Sequence, residues 1–314
     1  LPLVGDGPAP GFGAAPVDPA ELPAGELVRG ASLLLAEDLV TAGPGAVPRP
    51  GRRHRLRHRY RLAGDRWLVG PLLDELVVRG RPEGGRGLVV YVVAPPLERL
   101  LADVWVSRAF GEGVVGWPAW LRQAGRRHDL PPRADLRGVA GWWRARVGES
   151  RVQIVTELDR LPELLGPGVL ARLVGPGGVR GPRLGRGPRL SADAAELARQ
   201  VGPVLGVLVD PGSKETLLRR TLLPRLVRLD PAGPPLGVPE WARGWIATQA
   251  RRQRDALREA GYAVHGDLAQ LSDRLDGRPP RAERVLELAL AALHEGPAGD
   301  GPAGVGSVGQ GGRG

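Results

Sequence analysis

The 314-residue chain has no cysteine and no methionine. Without cysteine there is no disulfide and no thiolate metal site. Lysine occurs once, as Lys214, so 43 of the 44 basic Lys and Arg residues are arginines. Phenylalanine and tyrosine are scarce, at two and three residues. No apolar run approaches the ~20 residues of a membrane span, and no charged-then-apolar signal segment opens the chain. The expectation is a soluble, cytoplasmic protein. Position 1 is Leu, so we expect the true start to lie upstream.

What is plentiful is arginine, glycine (48) and proline (32), the bias of a GC-rich genome. Codon bias supplies part of the +10 net charge, which makes it weak evidence for a nucleic-acid partner. It suits an anionic ligand. The length allows a full hydrophobic core without staples.

The stretch Leu88–Trp105, LVVYVVAPPLERLLADVW, organises the rest. Leu88 to Val93 reads as a strand buried on both faces, as in parallel sheets. Pro95 and Pro96 stop it, because proline has no N–H for the ladder. Leu97, Leu100, Leu101, Val104 and Trp105 then recur at helical spacing. This is half of a βαβ unit, and ligands of open α/β sheets sit beyond the carboxyl ends of such strands.

Around it, Leu1 to Gly25 reads as a disordered arm. Its LVGDGPAPGFG piece has glycines but neither the Lys-Ser/Thr nor the following helix of a phosphate loop. In Glu26 to Val40, Ser32 to Leu35 is expected to be a short buried strand with Glu37 and Asp38 at its carboxyl end. A carboxylate so placed can act as a general base, although a helix or turn also uses acids there. Arg52 to Arg61 is the most charged run, alternating arginine with His54, Leu56, His58 and Tyr60. As a strand it would present a face of guanidinium groups able to grip phosphate or sulfate. As a loop it is a solvated basic segment. His54 and His58 lack a carboxylate or thiolate partner, so no metal site is expected.

Helices are expected over Trp67–Val78, from Trp117, over Leu136–Val147 and over Pro162–Val174. The Trp142 and Trp143 spacing points to core packing rather than base stacking. Arg151 to Thr156 is a second strand. Residues 175–190 form a Gly/Arg/Pro insertion without aromatics to stack bases. Ser191 caps the next helix. VLGVLVDPGSKETLL holds Lys214 but lacks the glycine spacing of a phosphate loop, so it reads as a turn and N-cap. Pro239 to Ala260 is a long helix stopped by Gly261. A short strand follows at Tyr262–Val264, then a short helix from Asp267. Arg281 to His294 is the last helix, and residues 295–314 form a Gly-rich tail. The domain proper is thus expected over 26–294.

In order, these segments resemble the P-loop-type sulfotransferase-like family of GC-rich bacteria. ASLLLAEDLV resembles its strand ending in Ser-x-Glu. LVVYVVAPPLERLLADVW resembles its 3′-phosphate strand, loop and helix. WARGWIATQARRQRDALREAGYAVHGDLAQL resembles its last helix and the Gly-Asp-Leu turn after it. The resemblance spans roughly residues 28 to 273. It implies an α/β fold of P-loop type, a mostly parallel sheet flanked by helices. It also implies sulfuryl transfer from 3′-phosphoadenosine 5′-phosphosulfate (PAPS) to a hydroxyl or amine, without a metal. By the same resemblance Glu37 matches the acidic catalytic position, and Arg99 a basic, nucleotide-holding one. The chain departs from the family at three places. The N-terminal Pro-Lys-Thr/Ser-Gly-Thr loop has no counterpart, Pro95 stands where the strand should end in arginine, and Asp103 replaces a serine. A truncated or degenerate member is therefore expected. The alternative is a non-catalytic anion-binding or interaction protein that uses Arg52–Arg61.

Overall fold

The structure, a computed structural model, describes residues 17–43, 66–80, 88–111, 113–127, 129–165 and 190–295. The LVGDGPAPGFG piece, Arg52–Arg61, the 175–189 part of the insertion and the tail beyond residue 295 lie outside the described residues.

The fold is α/β, with a small parallel sheet among many helices. Strands β1 (Val90–Val93), β2 (Val152–Val155) and β3 (Ala263–His265) lie in the order β1-β2-β3. Val92 aligns with Ile154, and Ile154 with Val264. Ala94 N–H extends the ladder to Val155 O (2.8 Å), and the two prolines then end it. Between β1 and β2 run α3 (Leu97–Ala109), α4 (Trp117–Arg127) and α5 (Leu136–Val147).

Side chains alternate across the pleat. Val92, Val152 and Ile154 enter the main core. Tyr91, Gln153 and His265 share the other side and are half-buried. The expectation of a strand buried on both faces is therefore corrected. One side of β1 is core; on the other, Tyr91 and Val93 are half-buried, while Val155 on the same side of β2 is fully buried.

The main core joins the sheet to α2 (Arg66–Val78), α3, α4, α5 and α10 (Glu240–Glu259). Trp105, Trp117 and Trp120 form its centre. Trp117 lies edge-on to Trp105 with centroids 5.8 Å apart, and stacks on Trp120 at 5.5 Å. Buried indoles need a partner for their N–H. Trp105 Nε1 donates to Val115 O (3.0 Å), and Trp117 Nε1 to Gly237 O (2.8 Å). The second bond ties α4 to the loop before α10. In that loop a Cβ on Gly237 would lie 2.3 Å from the backbone of Gly277, so only glycine fits the crossing.

A second core is helical. It packs α1 (Ala24–Ala42), α7 (Ala192–Leu208), a π-helical segment (Leu217–Leu222) and α11 (Ala282–His294). Two short helices, α8 (Pro211–Thr216) and α9 (Leu223–Leu229), flank the π segment. Pro224 cannot donate to a carbonyl one turn back, which explains a widened turn just before it. Another short helix, α6 (Leu161–Leu165), follows β2.

The strand expected at Ser32–Leu35 is instead the middle of α1. Its buried residues Val28, Ala31, Ser32, Leu35, Ala36 and Leu39 recur every three or four positions. That is one face of a helix; Leu33 falls off it and is exposed. Within the stretch expected to be a disordered arm, a 3-10 turn forms at Pro19–Glu21 and α1 begins at Ala24.

Helix α7 joins the two cores. Ala192 and Ala195 face the first, and Ala194, Leu197, Ala198 and Val201 the second. Alanine suits a helix approached on several sides, because it keeps neighbours close at no rotamer cost. Asp193, fully buried in the first turn of α7, accepts from Arg278 Nη1 (3.0 Å) and Arg281 N–H (2.8 Å). The pair fixes the segment that leads into α11, and this charge is well placed at a helix N-terminus.

Candidate functional site at the carboxyl edge of the sheet

Three chain segments meet beyond the carboxyl ends of β1 and β3. The first is the start of α3. The second is the N-terminal half of α10, which runs back along the sheet before β3. The third is Leu271–Arg274, at the end of the 3-10 turn (Leu268–Ser272) after β3. They enclose a cleft of about 270 Å³. This is just under the ~300–1,000 Å³ usual for small-molecule sites. It fits a small ligand, or one end of a larger one.

The α10 wall consists of Glu240, Arg243, Gly244, Ile246, Ala247 and Ala250. These fall at i, i+3, i+4, i+6, i+7 and i+10, one side of the helix. Three of the six are glycine or alanine, which leaves room between the larger side chains. Arg243 stands over it. Its Nη1 pairs with Glu240 Oε2 at 3.0 Å, and its Nε is buried without a partner among the described residues. Arg274, on the third wall, is exposed.

Glu98 comes from the second position of α3, just after the proline corner. It is only 8% exposed. Its Oε2 accepts from Leu275 N–H at 2.9 Å. That bond holds the third wall against α3. An acid in the first turn is favoured by the helix dipole, so the local sequence supports its position. Ile246, Ala250 and Leu271 supply apolar lining.

The residues expected to carry function are placed as follows. Arg99 is next to Glu98 on α3 and half-buried; its Nε lies 3.6 Å from Asp103 Oδ2 on the same helix. Glu37 is half-buried on α1, at the end of no strand. The buried faces of their two helices belong to different cores, α1 to the second and α3 to the first. Asp38, beside Glu37, accepts from Arg225 Nη1 at 3.0 Å, and that same nitrogen also donates to Ala292 O. Reading the sequence missed Glu98, Arg243 and Arg274. The one available signal was the run of small residues beside Arg243 on a charged helix.

The side of the sheet away from the main core carries a second cluster. His265 Nε2 lies 2.6 Å from Gln153 Oε1, and the Tyr91 and His265 rings are 6.1 Å apart. Among the described residues no group of three or more His, Asp or Glu side chains could hold a metal ion. No described helix is long and apolar enough to cross a membrane.

These features define a class: an α/β protein with a parallel sheet and a small mixed-charge cleft at its carboxyl edge. Beyond the class, no family model, curated protein or solved structure matches the chain.

Proposed function

We propose that the protein is sulfotransferase-like and seats a small sulfate- or phosphate-bearing molecule in the carboxyl-edge cleft. One observation carries this reading. Two stretches that resemble the family, one of them the closest match, form facing walls of one cavity. LVVYVVAPPLERLLADVW supplies Glu98, and WARGWIATQARRQRDALREAGYAVHGDLAQL supplies Arg243, Gly244, Ile246, Ala247, Ala250 and Leu271. Arg243 and Arg274 are the groups for the anion, since guanidinium binds sulfate and phosphate through paired N–H donors.

The fit to PAPS itself is poorer. Pro95 and Pro96 have no N–H to offer a 3′-phosphate, and Arg99 faces Asp103. Charge-assisted hydrogen bonds contribute about 1.5–3 kcal/mol each, so losing two weakens a nucleotide by orders of magnitude. This favours binding of a ligand over sulfuryl transfer, and Glu37, on α1, is not among the residues that line the cleft.

Thermal denaturation with adenosine 3′,5′-bisphosphate tests the reading. A bound ligand raises the melting temperature by mass action. The expected result is a rise at millimolar bisphosphate that Arg243→Ala removes. No rise, or an equal rise in Arg243→Ala, rejects the assignment.

A further inference from the structure

The cleft is not uniformly basic, and its charges are not spread evenly. Its lining holds three acids, Glu98, Glu240 and Asp273, against two arginines. Glu240 is engaged with Arg243, and Asp273 is exposed at the mouth. Glu98 is different. It is buried, and Leu275 N–H occupies only Oε2. No described residue donates to Oε1. Oε1 is not among the fully buried atoms without a partner, so it is open at the cleft and free to accept from a ligand donor, best a cation. A ligand with negative charge alone would gain Arg243 and Arg274 but meet the Glu98 carboxylate in the same cleft. A ligand with positive charge alone would gain Glu98 but make no use of Arg243 and Arg274.

We propose that the cleft is a zwitterion site, taking a small molecule with an ammonium group at one end and a sulfate, sulfonate or phosphate at the other. Glu98 Oε1 receives the ammonium; Arg243 and Arg274 receive the anion. The apolar floor of Ile246, Ala250 and Leu271 covers the short carbon link between the two ends. This rests on the cleft being the ligand site, as proposed above, and names the chemical class of its ligand.

Isothermal titration calorimetry on the full chain tests it, with phosphoethanolamine as probe and ethyl phosphate and ethylamine as its two halves. Phosphoethanolamine is expected to bind at least tenfold more tightly than either half. Glu98→Gln keeps an oxygen for Leu275 N–H but loses the charge, and should bring phosphoethanolamine down to the level of ethyl phosphate. Gly244→Leu should abolish binding of all three. A Cβ at Gly244 meets nothing within 4 Å, so that variant fills the cleft without breaking the helix. Equal binding of ethyl phosphate and phosphoethanolamine overturns the proposal. So does a preference that survives Glu98→Gln, or binding indifferent to Gly244→Leu. Adenosine 3′,5′-bisphosphate in the same experiment separates the two readings. If it binds and phosphoethanolamine does not, the zwitterion site fails and the sulfotransferase-like reading stands. The reverse result sinks that reading and keeps the zwitterion site.

Discussion

Ser32 shows how a single residue can carry opposite meanings. By resemblance it belongs to a strand that ends in Ser-x-Glu near a reacting centre. In the structure it is 1% exposed on the core side of α1, and its hydroxyl has no hydrogen-bond partner among the described residues. A hydroxyl buried in that way costs free energy without return. Ser32→Ala removes the hydroxyl and substitutes the best helix former. It is expected to stabilise the protein by roughly 0.5–2 kcal/mol, read as a higher midpoint in urea with an unchanged slope. A lower midpoint would mean that the hydroxyl has a role these contacts do not contain. Glu98 makes the same point from the other side. It is adjacent to Arg99, and nothing in its sequence context separates the two. Their environments do: one carboxylate faces a cleft, while the guanidinium beside it faces Asp103 on its own helix.

At the level of elements, legibility followed how far the cause of each element lies along the chain. The β1 strand, its proline corner and α3 were readable because an apolar run, two prolines and a 3.6-residue period are all local. The long α10 and its Gly261 stop were readable for the same reason; Gly261 does adopt φ +71°. Helix α1 was not, because Leu33, Leu34 and Leu35 in a row imitate a buried strand, and only the packing on α7 and α11 reveals the period. The cleft was illegible as a whole. Its walls come from residues 98, 240–250 and 271–274, brought together by sheet order rather than by proximity in the chain. Caps, by contrast, are local and have local consequences. Asp210 caps α8, accepting from Gly212 N–H (2.9 Å) and Ser213 N–H (3.1 Å). Hydrogen bonds from Ser213, side chain first and backbone next, hold its carboxyl below the ordinary 3.8. A carboxyl lowered on folding adds stability that is complete above its unfolded value and is lost as pH falls through the folded one. Asp210→Ala should therefore melt lower than the parent at neutral pH, and the gap should close as pH drops below 3.8. A gap of constant size across that range would show that the carboxylate charge is not what caps α8.

For the whole molecule the question is whether two cores make one cooperative unit. Trp105, Trp117, Trp120, Trp142, Trp143 and Trp245 all belong to the first core or pack against it, and the second core holds none of these six. Tryptophan fluorescence therefore reports the sheet half, whereas far-ultraviolet circular dichroism reports helices in both. The halves share α7, whose alanines contact each core, and the buried Asp193–Arg278 pair at its start. A Cβ on Gly202 of α7 would stand 3.4 Å from Ala109 O, so α3 and α7 approach closely. Loosening α7 from below should thus open the sheet half as well. Leu35 is fully buried in the second core, a cluster that contains none of the cleft residues. Leu→Ala at such a site costs about 2–5 kcal/mol, a fall in melting temperature on the order of 10 °C for a domain of this size. If α7 couples the cores, Leu35→Ala lowers the fluorescence and dichroism midpoints together, and ligand affinity in the cleft is retained below the transition. If fluorescence keeps the parent midpoint while dichroism shifts, the cores unfold separately. The cleft would then depend only on the sheet, α3 and α10, and α1, α7 and α11 would form a second unit docked against them.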